Sequence, residues 1–173
     1  MTTIYLAGFD VFRVDSQAHG EWLKQQCRRH GFEGVYPLDN QAPVGLSGRA
    51  LAQWIYESNV ALIRRADVVM ANLNAFRGAE PDSGTAFEVG YAAALGKPVW
   101  AYVDEADSLV QRLAVARRDD PVRHVDDRGY TVEDFGLNLN LMLACSATVV
   151  VGDAAQCLAR MAQVRRAADD MKA

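Results

Sequence analysis

The sequence predicts an α/β fold: a doubly wound, five-stranded parallel sheet with helices on both faces. Three observations carry this. Short apolar runs alternate with longer stretches of helical periodicity, the pattern of successive βαβ units with right-handed crossovers. The run Asp67-Val68-Val69-Met70-Ala71-Asn72-Leu73 is apolar without alternation, as a strand buried on both faces of a sheet is. The chain has 173 residues, 50% of them apolar, which suits a single domain over 1–173 with no internal repeat or linker.

The elements follow in order. Ile4-Tyr5-Leu6-Ala7 is a strand that ends at Gly8. Ser16 to His30 is helical, with Trp22, Leu23 and Cys27 on one face and Gly31 as the stop. Gly34 to Leu38 is the second strand, and 39–47 form a polar loop. Ser47 caps a helix from Gly48 to Ala66 whose apolar face holds Leu51, Trp54, Ile55, Val60, Leu62 and Ile63. The third strand is 67–73, and Asn74 to Ser83 is a loop. Thr85 to Leu95 is a helix stopped by Gly96-Lys97-Pro98, and Val99 to Val103 is the fourth strand. Residues 104–131 read as charged and irregular, with a short helix near Ala106 to Val115. Val132 to Cys145 reads as a helix, Thr148 to Val151 as the fifth strand, and Ala154 to Met171 as a closing amphipathic helix.

Composition narrows the function. Lys and Arg number 18 against 22 Asp and Glu, a formal charge of −4, so no electrostatic footprint for nucleic acid or anionic lipid exists. Three scattered cysteines without C-x-x-C and three unpaired histidines predict neither a disulfide framework nor a metal site. The absence of a basic, apolar leader and of an unbroken apolar span predicts a cytoplasmic chain. Gly8 stands alone after the first strand, so the dinucleotide fingerprint is missing. Gly90 to Lys97 is no P-loop, since its spacing and its helix-to-strand order are wrong.

In open parallel sheets, ligands bind beyond the carboxyl ends of the strands, which directs attention to the loops after Ala7, Leu38, Leu73 and Val103. The third of these runs into Glu80, Asp82 and Glu88, three carboxylates within nine residues. Thr85-x-x-Glu88 matches a capping box, an ordinary structural device. Placed in a first helical turn, Glu88 would be held ionised by the helix dipole. An ionised, oriented carboxylate is what an oxocarbenium-like glycosyl centre requires.

Asp82-x-Gly84-Thr85-x-x-Glu88-x-Gly90-Tyr91 resembles the signature of nucleoside 2-deoxyribosyltransferases. The likeness extends to Ile4–Gly8, to Tyr36-Pro37-Leu38-Asp39-Asn40-Gln41, to 66–72 leading into Phe76-Arg77-Gly78, and to 132–143. It implies a flavodoxin-like fold and a ping-pong, retaining exchange of the base on a 2′-deoxyribonucleoside, without metal or organic cofactor. By the resemblance, Glu88 is the nucleophile at C1′ and Tyr5 orients it. Asp82 holds a sugar hydroxyl, and Gly8 and Gln41 belong to the substrate site. Asn140 and Met142 enter the site of a neighbouring subunit, which requires at least a dimer.

One position departs from the family pattern. An aspartate that helps protonate the leaving base is replaced here by Asn59. An amide cannot serve as a general acid. Either Asp67 or a water takes that role, or Asn59 only binds the base. Plainer readings stand beside these: Tyr5 and Met142 as core residues, Asp67 as the punctuation of a strand, and Arg77 as a loop charge or an anion-steering group. Two rival functions share the residues. One is a deoxyribonucleoside 5′-monophosphate N-glycosidase, which Asp82 opposes by like charge. The other is a non-catalytic nucleotide-binding module.

Overall fold

The computed structural model describes residues 1–113, 116–119 and 122–171. Strands β1 (Thr2–Ala7), β2 (Phe32–Val35), β3 (Val68–Asn72), β4 (Val99–Val103) and β8 (Thr148–Val151) form one parallel sheet in the order β2-β1-β3-β4-β8. Helices α1 (Ser16–Arg29), α2 (Gly48–Arg65), α3 (Ser83–Ala94) and α6 (Ala154–Asp170) cover its two faces.

The period-two alternation of strand side chains sorts the core into two halves. Odd-numbered residues such as Tyr5, Val69, Ala71 and Ala101 pack against Leu62 and Ile63 of α2 and Val89 and Ala92 of α3. Even-numbered Ile4, Leu6, Met70 and Tyr102 pack against Leu23 and Cys27 of α1 and Leu158 and Met161 of α6. This parity turns Tyr5 toward α3, the helix that carries Glu88.

Four expectations need correction. The second strand ends at Val35, not Leu38. Pro37 opens a short 3-10 turn over Pro37–Asp39, fastened by the Tyr36 N–H donating to Asp39 Oδ2 at 2.8 Å. Residues 104–131 are less irregular than their charge suggests. They hold a helical turn, α4 (Leu109–Arg112), and an antiparallel sheet of β5 (Ala116–Asp119), β6 (Val122–Val125) and β7 (Thr131–Val132). The expected short helix also reached residues 114 and 115, which lie outside the described residues.

The helix expected from Val132 to Cys145 shrinks to α5 (Leu141–Ala144). Gly136 takes φ 69°, and Glu133 accepts from the Asn140 side chain at 2.8 Å and from the Leu141 N–H at 2.9 Å, so polar side chains here replace helical backbone bonds. Last, the expected apolar face of α2 divides. Val60, Leu62 and Ile63 are buried, but Ile55 is 45% exposed.

Candidate active site

Glu88 owes its position to helical spacing. Thr85, Val89 and Ala92 are the buried residues of α3, and Glu88 falls on the same stripe at i, i+3, i+4, i+7. The helix starts at Ser83 with Asp82 as its cap. Asp82 Oδ2 accepts from the Thr85 N–H at 2.9 Å and the Thr85 hydroxyl at 3.1 Å. The Thr85–Glu88 capping box is therefore not formed. Glu88 lies in the second turn, beyond useful reach of the helix dipole.

The Tyr5 hydroxyl, on a side chain with 0% exposure, donates to Glu88 Oε1 at 2.5 Å. The expectation of a readily ionised Glu88 is overturned. Burial pushes its carboxyl up to about 7, the Tyr5 hydrogen bond pulls it down, and the Asp82 charge pushes it up again. Such a carboxyl still ionises near neutrality, and once ionised it is poorly solvated and held by one fixed donor. That arrangement favours attack on an electrophilic carbon. Among the described residues the hydrogen bonds of the Asp82 side chain use only Oδ2, which leaves Oδ1 for a ligand.

A cavity of about 350 Å³ opens where the loops after β1 and β2 meet α2. Val11, Phe12, Leu38, Trp54 and Ile55 supply apolar walls, and Asn40, Ser58 and Asn59 supply polar groups. Trp54 and Ile55 in the first half of α2 thus face this cavity instead of the core. Phe12 belongs to an aromatic stack with Phe76 (5.4 Å between ring centroids), which Phe9 extends at 4.8 Å. The Arg77 guanidinium lies over the Phe12 and Phe76 rings at 5.2 and 4.6 Å. Arg77 holds φ 54°, a left-handed backbone that a side chain adopts at a cost, so the loop is built to place it there.

A second set of residues escaped the sequence reading. Asp10 is 6% exposed; its Oδ2 accepts from Asn72 Nδ2 at 2.9 Å, and its Oδ1 lies 3.2 Å from His19 Nε2. Asn72 Oδ1 accepts from Asn74 Nδ2 at 2.9 Å, and Asn74 Oδ1 from the Asp104 N–H at 2.7 Å. This chain ties the loops after β1, β3 and β4 together. A carboxylate two residues past a strand-ending glycine, in an apolar setting, was its only sequence signal. Among the described residues no group of three or more His, Cys, Asp and Glu is placed to hold a metal ion. No described helix is long and apolar enough to cross a membrane.

Comparison with known proteins decides the family. The nucleoside 2-deoxyribosyltransferase family model matches residues 4–142. The chain belongs to the nucleoside 2-deoxyribosyltransferase family. A 2-desoxiribosyltransferase structure from Leishmania mexicana is 33% identical, with a TM-score of 0.76 over 94% of this chain and 98% of that one. An uncharacterized protein of Schizosaccharomyces pombe is 34% identical over 118 residues, 66% of this chain and 56% of the relative. The 5-hydroxymethyl-dUMP N-hydrolase of Mus musculus is 31% identical over 100 residues, 56% of this chain and 54% of the relative. The chain spans about half the length of these two curated relatives. A Bacillus psychrosaccharolyticus 2-deoxyribosyltransferase, 22% identical with a TM-score of 0.60, shares the flavodoxin-like fold.

Measured against that family pattern, the structure brings Tyr5, Glu88 and Asp82 together and sets Asn59 in the cavity wall. Gln41 is exposed, between Asn40 and Ala42 of the wall but not part of the lining. Asn140 and Met142 border a different cavity, of about 490 Å³, with Pro81, Ala86 and Gly90 of the α3 region. Met142 is 71% exposed, and the Asn140 amide is occupied by Glu133 and the Met142 N–H. Asp67 accepts from the Thr3 N–H at 2.8 Å at the amino edge of the sheet, so its role in this deoxyribosyltransferase fold is to pin strands, not to protonate a base.

Gly8 is buried where β1 ends. A Cβ there would lie 2.7 Å from Asp10 Oδ2 and 2.9 Å from the Asn72 Cβ. Gly8→Ala is expected to destabilise the protein by about 1–3 kcal/mol through this overpacking. An unchanged denaturant midpoint would show that the loops yield without cost.

Proposed function

We propose that this chain moves a 2-deoxyribosyl group between nucleobases through a covalent Glu88 ester. The Tyr5–Glu88 pair carries the reading: a buried hydroxyl fixed at 2.5 Å from a carboxyl that ionises near pH 7. In this mechanism the ionised Glu88 oxygen bonds to C1′ as the N-glycosidic bond breaks. The base leaves with the bonding pair and takes up a proton. A nitrogen of the incoming base then attacks C1′, expels Glu88 and sheds its own proton. Two inversions retain the configuration. Asp82 Oδ1 accepts from a sugar hydroxyl. Substrates are free 2′-deoxyribonucleosides and bases, as in cytosolic salvage. The exposed Met142, Phe87 and Tyr56 fit a self-associated form in which Asn140 and Met142 serve a neighbour's site.

The mouse relative gives hydrolysis a specific claim as the second reading. Water would then replace the second base. A 5′-phosphate near Asp82 meets a like charge, which favours the nucleoside over the nucleotide. Incubation of deoxyadenosine with isotope-labelled adenine separates these outcomes. Label appearing in deoxyadenosine is the expected result. Free adenine and deoxyribose without labelled nucleoside would indicate hydrolysis, and unchanged deoxyadenosine beside adenine released from deoxyadenosine 5′-monophosphate would indicate the nucleotide hydrolase.

A further inference from the structure

We infer that Asp10 is a positioning residue for this reaction: its carboxylate fixes the loop that brings Asp82 to the sugar. This rests on the reading above in which Asp82 holds a sugar hydroxyl, and it adds what sets that loop in place.

In the order β2-β1-β3-β4-β8 the chain leaves β1 on one side and returns to β3 on the other. The gap between the carboxyl ends of β1 and β3 is therefore the switch point at which open parallel sheets bind ligands. Strand pairing ends there with Ala7 opposite Ala71. Just beyond, Asn72 Nδ2 reaches across the gap and donates to Asp10 Oδ2 at 2.9 Å. Both residues are buried, and a buried carboxylate is costly unless its oxygens are paired. His19 Nε2, 3.2 Å from Oδ1, meets the second oxygen.

The charge of Asp10 sets the direction of the bonds that follow. An ionised carboxylate only accepts, so Asn72 must turn its NH2 group to Asp10 and its carbonyl oxygen to the loop. That oxygen accepts from the Asn74 N–H at 3.2 Å and from Asn74 Nδ2 at 2.9 Å, and Asn74 Oδ1 accepts from the Asp104 N–H at 2.7 Å. Farther along, Phe76 stacks on Phe9, and its N–H donates to the Glu80 carbonyl at 3.0 Å. The loop is thus tied down from Asn72 to Glu80, two residues before Asp82. Tyr5 and Glu88 are carried by β1 and α3 themselves. A loop freed from Asp10 therefore loses grip on the sugar in ground state and transition state alike, which raises KM and leaves kcat in place.

The test measures KM and kcat on whichever of 2′-deoxyadenosine and its 5′-monophosphate the intact protein cleaves. Asn72→Asp sets two carboxylates face to face and is expected to raise KM at least about tenfold, with kcat within about threefold. Adding Asp10→Asn exchanges the pair. The amide introduced at 10 donates to the carboxylate introduced at 72, whose other oxygen still accepts from Asn74. KM is then expected to return to within about twofold of the natural value. Asn74→Ala cuts the loop from the clasp, leaves the buried pair intact, and is expected to raise KM about three- to tenfold. A KM indifferent to Asn72→Asp or to Asn74→Ala, a rise that the exchanged pair does not reverse, or a loss in kcat in place of the rise in KM would overturn the inference. Label missing from deoxyadenosine while KM follows the expected course would sink base exchange alone.

Discussion

Replacing Glu88 by alanine is expected to abolish base exchange, a loss of at least about 10³-fold, because it removes the carboxylate that the proposed mechanism bonds to C1′. Glu88→Gln should lose as much, since an amide oxygen of the same shape is not a nucleophile. Exchange retained by either variant, measured as labelled adenine entering deoxyadenosine, would remove Glu88 from the mechanism. Stability supplies an independent readout. Burial raises the folded-state carboxyl from 4.5 to about 7, so between those values the folded protein holds a proton that the unfolded chain has released. Stability therefore falls as pH rises through this window, and Glu88→Gln removes that loss. The variant is expected to match the natural protein below pH 4 and to exceed it by up to about 3 kcal/mol at pH 8. A gap independent of pH would mean that Glu88 does not titrate as its burial requires.

Much of this site was legible in the sequence, for reasons that particular residues make plain. The unbroken apolar run 67–73 marked β3 as a strand buried on both faces of a parallel sheet, and the loop that follows it, which holds Asp82, therefore lies at a carboxyl end. Glu88 was reached through its motif, but a more direct signal was available. Thr85, Glu88, Val89 and Ala92 share one helical stripe, and a carboxylate on an inward stripe is costly unless it has work to do. Misplacing the start of α3 by two residues concealed this, since it made Glu88 look like a first-turn cap. Asp82 was the cap, and local patterns do not rank competing caps.

Tertiary effects account for the rest. The first half of α2 reads as a core-facing amphipathic surface, yet Trp54 and Ile55 line a cavity, because apolar periodicity does not distinguish a protein neighbour from a ligand. The Asp10–Asn72–Asn74 chain joins residues up to 62 positions apart, and nothing in local spacing announces it. Likewise Ala116-Arg117-Arg118-Asp119 carries no apolar alternation. It becomes a strand through pairing with β6, not through propensity.

Replacing Tyr5 by phenylalanine is expected to move the pH profile of exchange instead of merely lowering it. The Tyr5 hydroxyl is buried against a carboxylate, and both burial and the Glu88 charge hold its pKa far above the ordinary range. It keeps its proton at every working pH and always acts as the donor. Its hydrogen bond is the single influence that lowers the Glu88 pKa, against burial and the Asp82 charge. Without it those two act unopposed, and the carboxyl rises above 7. A hydrogen bond to a charged group contributes about 1.5–3 kcal/mol, which corresponds to a shift of about one to two pH units. The acidic limb of kcat/KM, which reports the free enzyme, should move upward by that amount. Exchange at pH 7, where the natural carboxyl is already half protonated, should fall about 5- to 50-fold, and most of the loss should be recovered by pH 9. A uniform loss at every pH, with the limb in place, would confine Tyr5 to packing. The predicted displacement separates the two roles because a packing defect changes how well Glu88 is aimed, whereas a lost donor changes how often it is ionised.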